Sequence, residues 1–268
     1  MGPKQRARTG RARPPRPGGP DMSRQLHPDA PNFRSLCFMP LAGGRRVREG
    51  RFYRCASPHN YSDAALAQME ALDPYAVVDF RGVDEAAALP YTLPGAIKGR
   101  RVAMPVEPKT GDRVRALHDA GALTEATARE AMRETYRYYV RDNGHVFAEF
   151  LALAAEAGDK PIVWHCAAGK DRTGFAAAMI LTALAASRDA IVADYLVSNE
   201  LWKPHSSSSV STLPQIARDA LAKVEGAYLD AAWEALEAEH GSPEAFVAQA
   251  LGGEAGMEAF LAAKTETA

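Results

Sequence analysis

Cysteine is scarce in this sequence of 268 residues, which contains only Cys37, Cys55 and Cys166, no two of them close together. An odd number of widely spaced cysteines excludes a disulfide framework and suits a reducing compartment. No Cys-x-x-Cys pair and no matching histidine spacing accompanies them, so we expect no metal site. We expect no cofactor either.

Long apolar runs are also missing. The longest extends from Phe175 to Ala186, about half of what a membrane-spanning helix needs. The N-terminus carries positive charge with no apolar stretch behind it, so it does not qualify as a secretory signal. We therefore expect a cytoplasmic protein, with export by an unconventional route left open.

The net charge is close to zero, at -1, but it is unevenly distributed. Residues 1–26 hold seven basic residues and one acidic residue, a net charge of +6, which leaves -7 for the remainder. Five prolines and four glycines in this segment predict a disordered tail, followed by one domain over residues 27–268. A solvated tail is the simpler interpretation, and weak attachment to anionic lipid is the alternative. We expect no nucleic-acid partner, and the sequence indicates no oligomeric state.

Strand and helix signals alternate along most of this domain. Apolar or alternating segments predict strands at 51–56, 75–80, 102–106 and 161–165. Beyond Ser187 the chain is helical and acidic throughout, with amphipathic segments at 188–199, 211–224, 226–240 and 243–262. This order predicts an α/β fold with a central mixed, mostly parallel sheet flanked by helices, and a helical C-terminal part.

A polar, charged insertion at residues 107–143 interrupts the alternation. Within it, Thr127 and Glu130 predict a capping box at the start of a helix, and Tyr136 and Tyr139 lie on one face of that helix. The insertion is predicted to be helical and can serve as a lid over a nearby site. The tyrosines themselves are interpreted as core residues.

The strongest chemical signal is a loop between the strand at 161–165 and the apolar helix at 175–186, with the sequence Cys-Ala-Ala-Gly-Lys-Asp-Arg-Thr-Gly over residues 166–174. Ligands of open α/β sheets bind at the carboxyl ends of strands, and a helix N-terminus offers unpaired N–H groups and partial positive charge. This position suits an anion of phosphate size. The predicted substrate-binding residues are His165, Ala167, Ala168, Gly169, Lys170, Thr173 and Gly174.

Cys166 and Arg172 bracket five residues, a spacing that can fold the loop into a cup with the sulfur at its floor. The field that binds phosphate also stabilises a thiolate, so we expect Cys166 to be nucleophilic near neutrality. The Arg172 guanidinium can hold two phosphoryl oxygens in a bidentate fork. Thr173 can donate a hydrogen bond to the sulfur when it leaves phosphorus. Cys37 and Cys55 are interpreted as structural.

Residues 165–174 (HCAAGKDRTG) resemble the His-Cys-x5-Arg-Thr/Ser signature of cysteine-dependent protein tyrosine phosphatases. Further motifs narrow the resemblance to bacterial tyrosine/serine phosphatases, a group that includes a secreted mycobacterial enzyme with phosphoinositide activity. These motifs are Asn-Phe-Arg (32–34), Gly-Arg-Phe-Tyr-Arg (50–54), Asp-Phe-Arg (79–81) and Asp-Tyr-Leu-x-Ser-Asn (194–199). The resemblance covers most of the chain.

The resemblance implies two-step hydrolysis of phosphomonoesters without a metal. Cys166 attacks phosphorus to form a phosphocysteine, which water hydrolyses, while Arg172 and the loop amides stabilise the transition state. Phosphotyrosine is the leading substrate, with phosphoserine, phosphothreonine and phosphoinositides as alternatives. The leaving oxygen needs a general acid. Because the sequence has no Trp-Pro-Asp tripeptide, Asp79 and Asp171 are both candidate catalytic acids.

Three further charged residues, Lys170, Arg81 and Glu85, lie in or near these motifs. Lys170 beside Arg172 suits a substrate with more than one phosphate, but a solvated lysine explains it equally well. Arg81 and Glu85 are interpreted as a structural ion pair.

Two other functions compete with a phosphatase. A sulfurtransferase of the rhodanese type also uses a cysteine in an anion-binding loop, although the histidine before Cys166 and the Thr-Gly after Arg172 disfavour it. A non-catalytic phosphopeptide-binding module is the second alternative, and the intact Cys166 and Arg172 argue against it.

Overall fold

The computed structural model describes residues 25–37, 39–202 and 214–268, so nearly all of the predicted tail and the predicted start of the helix at 211–224 lie outside the described residues. The strands are β1 (Arg34–Ser35), β2 (Pro40–Leu41), β3 (Arg45–Val47), β4 (Phe52–Cys55), β5 (Ala76–Asp79), β6 (Arg101–Ala103), β7 (Ile162–His165) and β8 (Thr265–Thr267). The α-helices are α1 (Asp63–Ala71), α2 (Val83–Ala88), α3 (Thr110–Asp119), α4 (Glu125–Arg141), α5 (Gly144–Glu156), α6 (Asp171–Ala183), α7 (Arg188–Leu201), α8 (Gln215–Ala222), α9 (Gly226–His240), α10 (Pro243–Ala250) and α11 (Glu254–Lys264).

The central sheet has the strand order β1-β4-β7-β5-β6. β4, β7, β5 and β6 run parallel, and β1 pairs with β4 in the antiparallel sense at one edge. The predicted mixed, mostly parallel sheet is confirmed. Its register places Cys55 and Asp79 on either side of His165, at the carboxyl ends of three neighbouring strands. The loop that begins at Cys166 therefore starts at the centre of the ligand-binding edge.

Both faces of the sheet are buried, which explains why its strands are almost wholly apolar. In β7, Ile162 and Trp164 belong to one hydrophobic cluster, and Val163 belongs to a second cluster on the opposite face. The larger cluster includes side chains of α4, α5, α6 and α9, whereas the smaller one includes side chains of α1. The sheet is thus covered by helices on both faces.

Helix α6 is apolar on nearly every side, and all its residues after Asp171 are buried. A helix with this pattern belongs in the interior. It begins at Asp171, four residues before the predicted start at Phe175, because residues 171–174 of the predicted loop form its first turn. No side chain caps its N-terminus. Its first amides are therefore not occupied by a capping oxygen.

The insertion at 107–143 folds into α3 and α4, which confirms that it is helical. The capping box predicted at Thr127 and Glu130 is wrong, because α4 starts earlier and Thr124 is its N-cap. The Thr124 hydroxyl accepts the backbone N–H of Thr127, and the Thr127 hydroxyl accepts the backbone N–H of Thr124. Tyr136 and Tyr139 are buried, so their interpretation as core residues is confirmed. Whether the insertion acts as a lid stays a prediction.

The C-terminal part is helical as predicted, with two differences. The segment at 243–262 is divided into α10 and α11, because Gly252 and Gly253 adopt positive φ angles of 85° and 95°. After α11 the chain adds β8 to a second, antiparallel sheet of order β2-β3-β8. Among the described residues, no helix is both long enough and apolar enough to cross a lipid bilayer.

We expect Phe147→Ala to lower the free energy of unfolding by about 3–5 kcal/mol, because Phe147 is fully buried and its ring meets that of Phe175 edge to face with centroids 4.6 Å apart. Urea denaturation measures this loss. The matched control is Val83→Ala, at a side chain that is 64% exposed, for which a change within about 0.5 kcal/mol is expected. Equal losses for the two variants would contradict the assignment of the core.

Candidate active site

The loop at residues 166–170 joins β7 to α6, and four of its five carbonyl groups, those of Cys166, Ala167, Gly169 and Lys170, have hydrogen-bond partners in the surrounding protein. The Cys166 carbonyl lies 3.0 Å from the His165 Nδ1, and the Ala167 carbonyl accepts from the backbone N–H of Ser57. The Gly169 carbonyl accepts from Asn32 and Arg54, and the Lys170 carbonyl accepts from Arg54. Because a trans peptide directs its N–H opposite to its C=O, these bonds turn the intervening amides away from the supporting protein.

The amides of this segment are unpaired. Within the part of the chain that the structure describes, residues 167–172 donate no backbone N–H to a protein acceptor. Gly169, Lys170 and Arg172 in this run are buried, and buried amides are nearly always hydrogen-bonded, so their unpaired N–H groups indicate a site for an anion. The N-terminus of α6 adds the positive end of its dipole. Cys166, only 2% exposed, begins this cup.

Gly169 is required by the backbone at this point. Its φ angle is +68°, and a Cβ atom there would lie 2.3 Å from the Cys55 carbonyl oxygen. Because that oxygen belongs to the backbone of β4, it cannot move aside easily. Glycine therefore lets the loop turn tightly against the neighbouring strand.

Arg172 is held by a carboxylate that sequence analysis assigned to a different partner. Its Nη1 and Nη2 donate to Glu85 of α2 at 2.5 and 3.0 Å, and Nη1 also donates to the carbonyls of Phe80 and Val106. The predicted ion pair between Arg81 and Glu85 is wrong, because Glu85 pairs with Arg172. Burial opposes the charge of Arg172, but the nearby Cys166 and Glu85 raise its pKa above the ordinary value. The guanidinium is therefore charged and fixed in orientation.

His165 was predicted to bind substrate, but the structure places it beneath the loop. It is fully buried, with Nδ1 at the Cys166 carbonyl and Nε2 2.7 Å from the hydroxyl of Tyr91. A carbonyl only accepts, so Nδ1 carries the proton and Nε2 accepts from Tyr91. Burial lowers the pKa of His165 to about 4, although Asp79 opposes the shift. The neutral ring supports the loop and has no access to a ligand.

Asp79, one of the two predicted acids, lies in a buried ion-pair network. Its carboxylate accepts the backbone N–H and the guanidinium of Arg81, and the guanidinium of Arg101 at 2.7 Å. Burial favours the neutral acid, but the hydrogen bonds from Arg81 and the nearby His165 outweigh it and lower the pKa of Asp79 to about 2. Such a carboxylate carries no proton at neutral pH. These contacts favour a structural role for Asp79.

Asp171, the other predicted acid, is the first residue of α6 and lies at the edge of the cup. Its Oδ1 accepts the hydroxyl of Tyr136 at 3.1 Å, and that hydroxyl also contacts the hydroxyl of Tyr195. Both tyrosines are buried, which raises their pKa values, so they remain neutral donors. The carboxyl group of Asp171 is thus oriented by neutral partners, and its side chain is only partly buried.

Lys170 was predicted to bind substrate, but its side chain is buried and turned towards the end of α8. Its Nζ donates to the carbonyls of Leu221 and Ala222 at 2.8 and 3.2 Å and lies 4.2 Å from the centroid of the Trp202 ring. These carbonyls end α8, where the helix dipole favours a cation. The ammonium therefore holds α8 against the loop and is not a free second cation for the substrate. Its backbone amide stays part of the cup.

Thr173 and Gly174 have separate roles. The hydroxyl of Thr173 is buried and has no hydrogen-bond partner among the described residues, so it is available to the sulfur or its ligand. The amide of Gly174 donates to the Lys170 carbonyl within the helix, which removes it from the predicted binding set. A Cβ at Gly174 would lie 2.8 Å from the Tyr195 ring, so this glycine lets α7 approach α6.

The buried His165 predicts a loss of stability in mild acid. Its pKa is about 4 in the folded protein and about 6.5 in an unfolded chain, so the unfolded state binds more protons between these values. Stability is full above pH 6.5 and falls as pH decreases towards 4, by roughly 3 kcal/mol in total, or about 6–12 °C in Tm. Calorimetry between pH 7 and pH 4 measures this loss of stability. The control variant is His118→Asn, a substitution at an exposed histidine. A flat profile over this range would contradict the neutral, buried ring.

Comparison with known proteins identifies the family of this chain. The sequence model of the tyrosine phosphatase family matches residues 27–264. The chain is similar to a protein of Cupriavidus necator named as a tyrosine-protein phosphatase, at 34% identity over 82% of this chain and 81% of that protein. It is also similar to the triple specificity protein phosphatase PtpB of Mycobacterium tuberculosis, at 31% identity over 65% of this chain and 68% of PtpB.

Among solved structures, the crystal structure of P. aeruginosa TpbA in complex with pTyr matches with 19% sequence identity and a TM-score of 0.31, over 72% of this chain and 90% of TpbA. With a cysteine and an arginine placed around one anion-binding loop, and with the family model matching almost its whole length, this chain belongs to the tyrosine phosphatase family.

Proposed function

We propose that this protein hydrolyses phosphomonoesters through a phosphocysteine intermediate on Cys166. The observation that carries the proposal is the cup at residues 166–172, where four carbonyls are bound from outside and the amides of residues 167–172 are free. Six N–H groups and one fixed guanidinium match the oxygens of a phosphoryl group as charge develops on them. Cys166 at the start of the cup provides the nucleophile.

The reaction proceeds in two displacements. In the first, the Cys166 thiolate forms an S–P bond, the P–O bond to the leaving group breaks, and the leaving oxygen takes a proton from a general acid. In the second, water attacks phosphorus, its proton passes to the same carboxylate, and the S–P bond breaks to restore the thiolate. Arg172 and the amides hold the three equatorial oxygens throughout, and the free Thr173 hydroxyl can stabilise the departing sulfur.

Asp171 is the proposed general acid. It lies at the cup, beside the first amides of α6, and Tyr136 orients it through a neutral hydrogen bond. Asp79 is a poor candidate because its oxygens are occupied by Arg81 and Arg101. Asp79 instead stabilises the arginines and His165 below the loop.

The two rival functions explain the site less well. A rhodanese-type sulfurtransferase needs no acid beside its loop, whereas Asp171 is oriented there by Tyr136. A phosphopeptide-binding module needs no nucleophile, whereas Cys166 lies where the unpaired amides begin. We therefore retain the phosphatase.

Phosphotyrosine in proteins is the proposed main substrate, with activity on phosphoserine, phosphothreonine or phosphoinositides in addition. The similarity to PtpB, named a triple specificity phosphatase, supports this breadth. Lys170 does not support selection for several phosphates, because its ammonium is bound to the end of α8. Attachment of the basic tail to anionic lipid, a lid at 107–143 and a cytoplasmic location stay predictions.

The substrate class is tested by phosphate release from a panel of a phosphotyrosine peptide, a phosphoserine peptide and phosphoinositide vesicles. We expect turnover of the phosphotyrosine peptide without added metal, and none above background for Cys166→Ser, because its hydroxyl is a much weaker nucleophile at neutral pH. Cys55→Ser is the matched control, since burial raises the pKa of that thiol to about 12 and leaves it unreactive. Consumption of thiosulfate without phosphate release would decide for the sulfurtransferase.

The acid is identified by comparing Asp171→Asn with Asp79→Asn. Asp171→Asn should slow hydrolysis of alkyl phosphates by about 10²–10⁴-fold, because an unprotonated alkoxide leaves poorly, and should slow p-nitrophenyl phosphate much less. It should also abolish the decline of kcat at high pH. Asp79→Asn should lower Tm, because the buried guanidinium of Arg81 and the partly exposed guanidinium of Arg101 both lose their carboxylate. In this variant kcat should still decline at high pH. The reverse pattern would assign the acid to Asp79.

A further inference from the structure

A buried polar network lies on the outer side of the catalytic loop, away from the cup. Its charged members are Arg34 of β1, Arg54 of β4 and Asp194 of α7, each nearly or fully buried. The Asp194 carboxylate accepts Arg34 Nε at 3.1 Å and Arg54 Nη1 at 2.7 Å. Asn32 completes the set, because its side-chain oxygen accepts from Arg34. The three motifs at 32–34, 50–54 and 194–199 therefore meet at one place.

This network has more positive than negative charge. Arg34 and Arg54 face one carboxylate, and burial together with the charge of Arg54 lowers the pKa of Arg34 to about 10, despite Asp194. Two guanidiniums thus share one carboxylate, and one positive charge is left without a carboxylate partner within the network. Removing such a charge from water costs free energy, and the ion pairs need not repay that cost. The presence of this network is therefore weak evidence that it stabilises the fold.

The network acts on the loop through two carbonyl groups. Asn32 Nδ2 donates to the Gly169 carbonyl at 2.6 Å, and Arg54 Nη2 donates to the Gly169 and Lys170 carbonyls at 3.0 and 3.3 Å. These peptides carry the N–H groups of Lys170 and Asp171. Because each peptide is planar and trans, holding the oxygen outward holds the next N–H inward.

We propose that Asn32, Arg54 and Asp194 form a carbonyl clamp, a set of positioning residues that aims the amides of Lys170 and Asp171 at the phosphoryl group. The proposal rests on the proposed function, since it assigns the clamp to the phosphate site. Arg54 makes the contact with the loop, Asp194 fixes the direction of Arg54, and Asn32 holds the same carbonyl from a second side. The positive guanidinium at each oxygen also polarises the peptide, which strengthens its N–H as a donor.

Two variants test the clamp. Asn32→Ala removes one donor to the loop and one acceptor of Arg34, whose guanidinium keeps its ion pair with Asp194. Arg54→Lys keeps the charge but replaces the fork by one ammonium. The matched control is Asn143→Ala, which removes a buried amide bound to the Tyr138 carbonyl, in the turn between α4 and α5. Each protein is measured by Tm, by kcat and KM for p-nitrophenyl phosphate, and by the Kd of tungstate, an inert phosphate analogue.

We expect Asn32→Ala to weaken tungstate binding and to lower kcat by about fivefold to tenfold, and Arg54→Lys to lower both by about a hundredfold. Asn143→Ala should lower Tm without changing either value. If Arg54→Lys does not fold, Asn32→Ala decides. A lower Tm for Asn32→Ala with unchanged tungstate affinity and kcat would overturn the clamp and leave only a structural role.

The same measurements separate the clamp from the proposed function. A wild-type protein that binds tungstate but releases no phosphate from any ester contradicts the phosphatase, and the Kd values of the variants then still judge the clamp. A wild-type protein that hydrolyses phosphate esters while Asn32→Ala matches it in Kd and kcat contradicts the clamp alone.

Discussion

The site depends on a backbone conformation that leaves a run of amides unpaired at one point. A buried N–H without a partner costs about 1–3 kcal/mol, and Gly169, Lys170 and Arg172 of this run are buried, so carbonyl bonds from outside are needed to maintain the free amides. Those bonds come from His165, Ser57, Asn32 and Arg54, on several different elements. In the proposed reaction, one phosphoryl group satisfies these amides together.

Five arginines around this loop form ion pairs with only three carboxylates. Glu85 orients Arg172, Asp194 orients Arg34 and Arg54, and Asp79 orients Arg81 and Arg101. In two of these three groups the guanidiniums outnumber the carboxylates. Each carboxylate restricts the rotation of the arginine that it binds. Where two guanidiniums share one carboxylate, a net positive charge remains near the loop. The field of this charge favours the binding of an anion at the loop.

Sequence analysis predicted the loop and the sheet because both depend on local patterns. The strand at Ile162–His165 is a short apolar run that sequence patterns identify directly. The cysteine and the arginine that follow it, Cys166 and Arg172, are residue types associated with a nucleophile and with anion binding. Pairings between distant residues had no such signal: Glu85 and Arg172 are 87 residues apart, and Arg54 and Asp194 are 140 apart. The strand Thr265–Thr267 was missed because it is short and polar and gains its order from β3, near the other end of the chain.

The same contrast explains why adjacent loop residues differ in how well they were predicted. Lys170 and Asp171 both look like ligands for a phosphate site, yet the Lys170 ammonium turns to the carbonyls at the end of α8, whereas the Asp171 carboxyl turns to Tyr136. The loop sequence does not decide between these directions, since the two residues are adjacent and both carry charged side chains. The surrounding helices decide it, by offering carbonyl oxygens to a cation and a neutral hydroxyl to an acid. Chemistry is therefore encoded in the loop, whereas the assignment of roles within it is encoded in the elements packed around it.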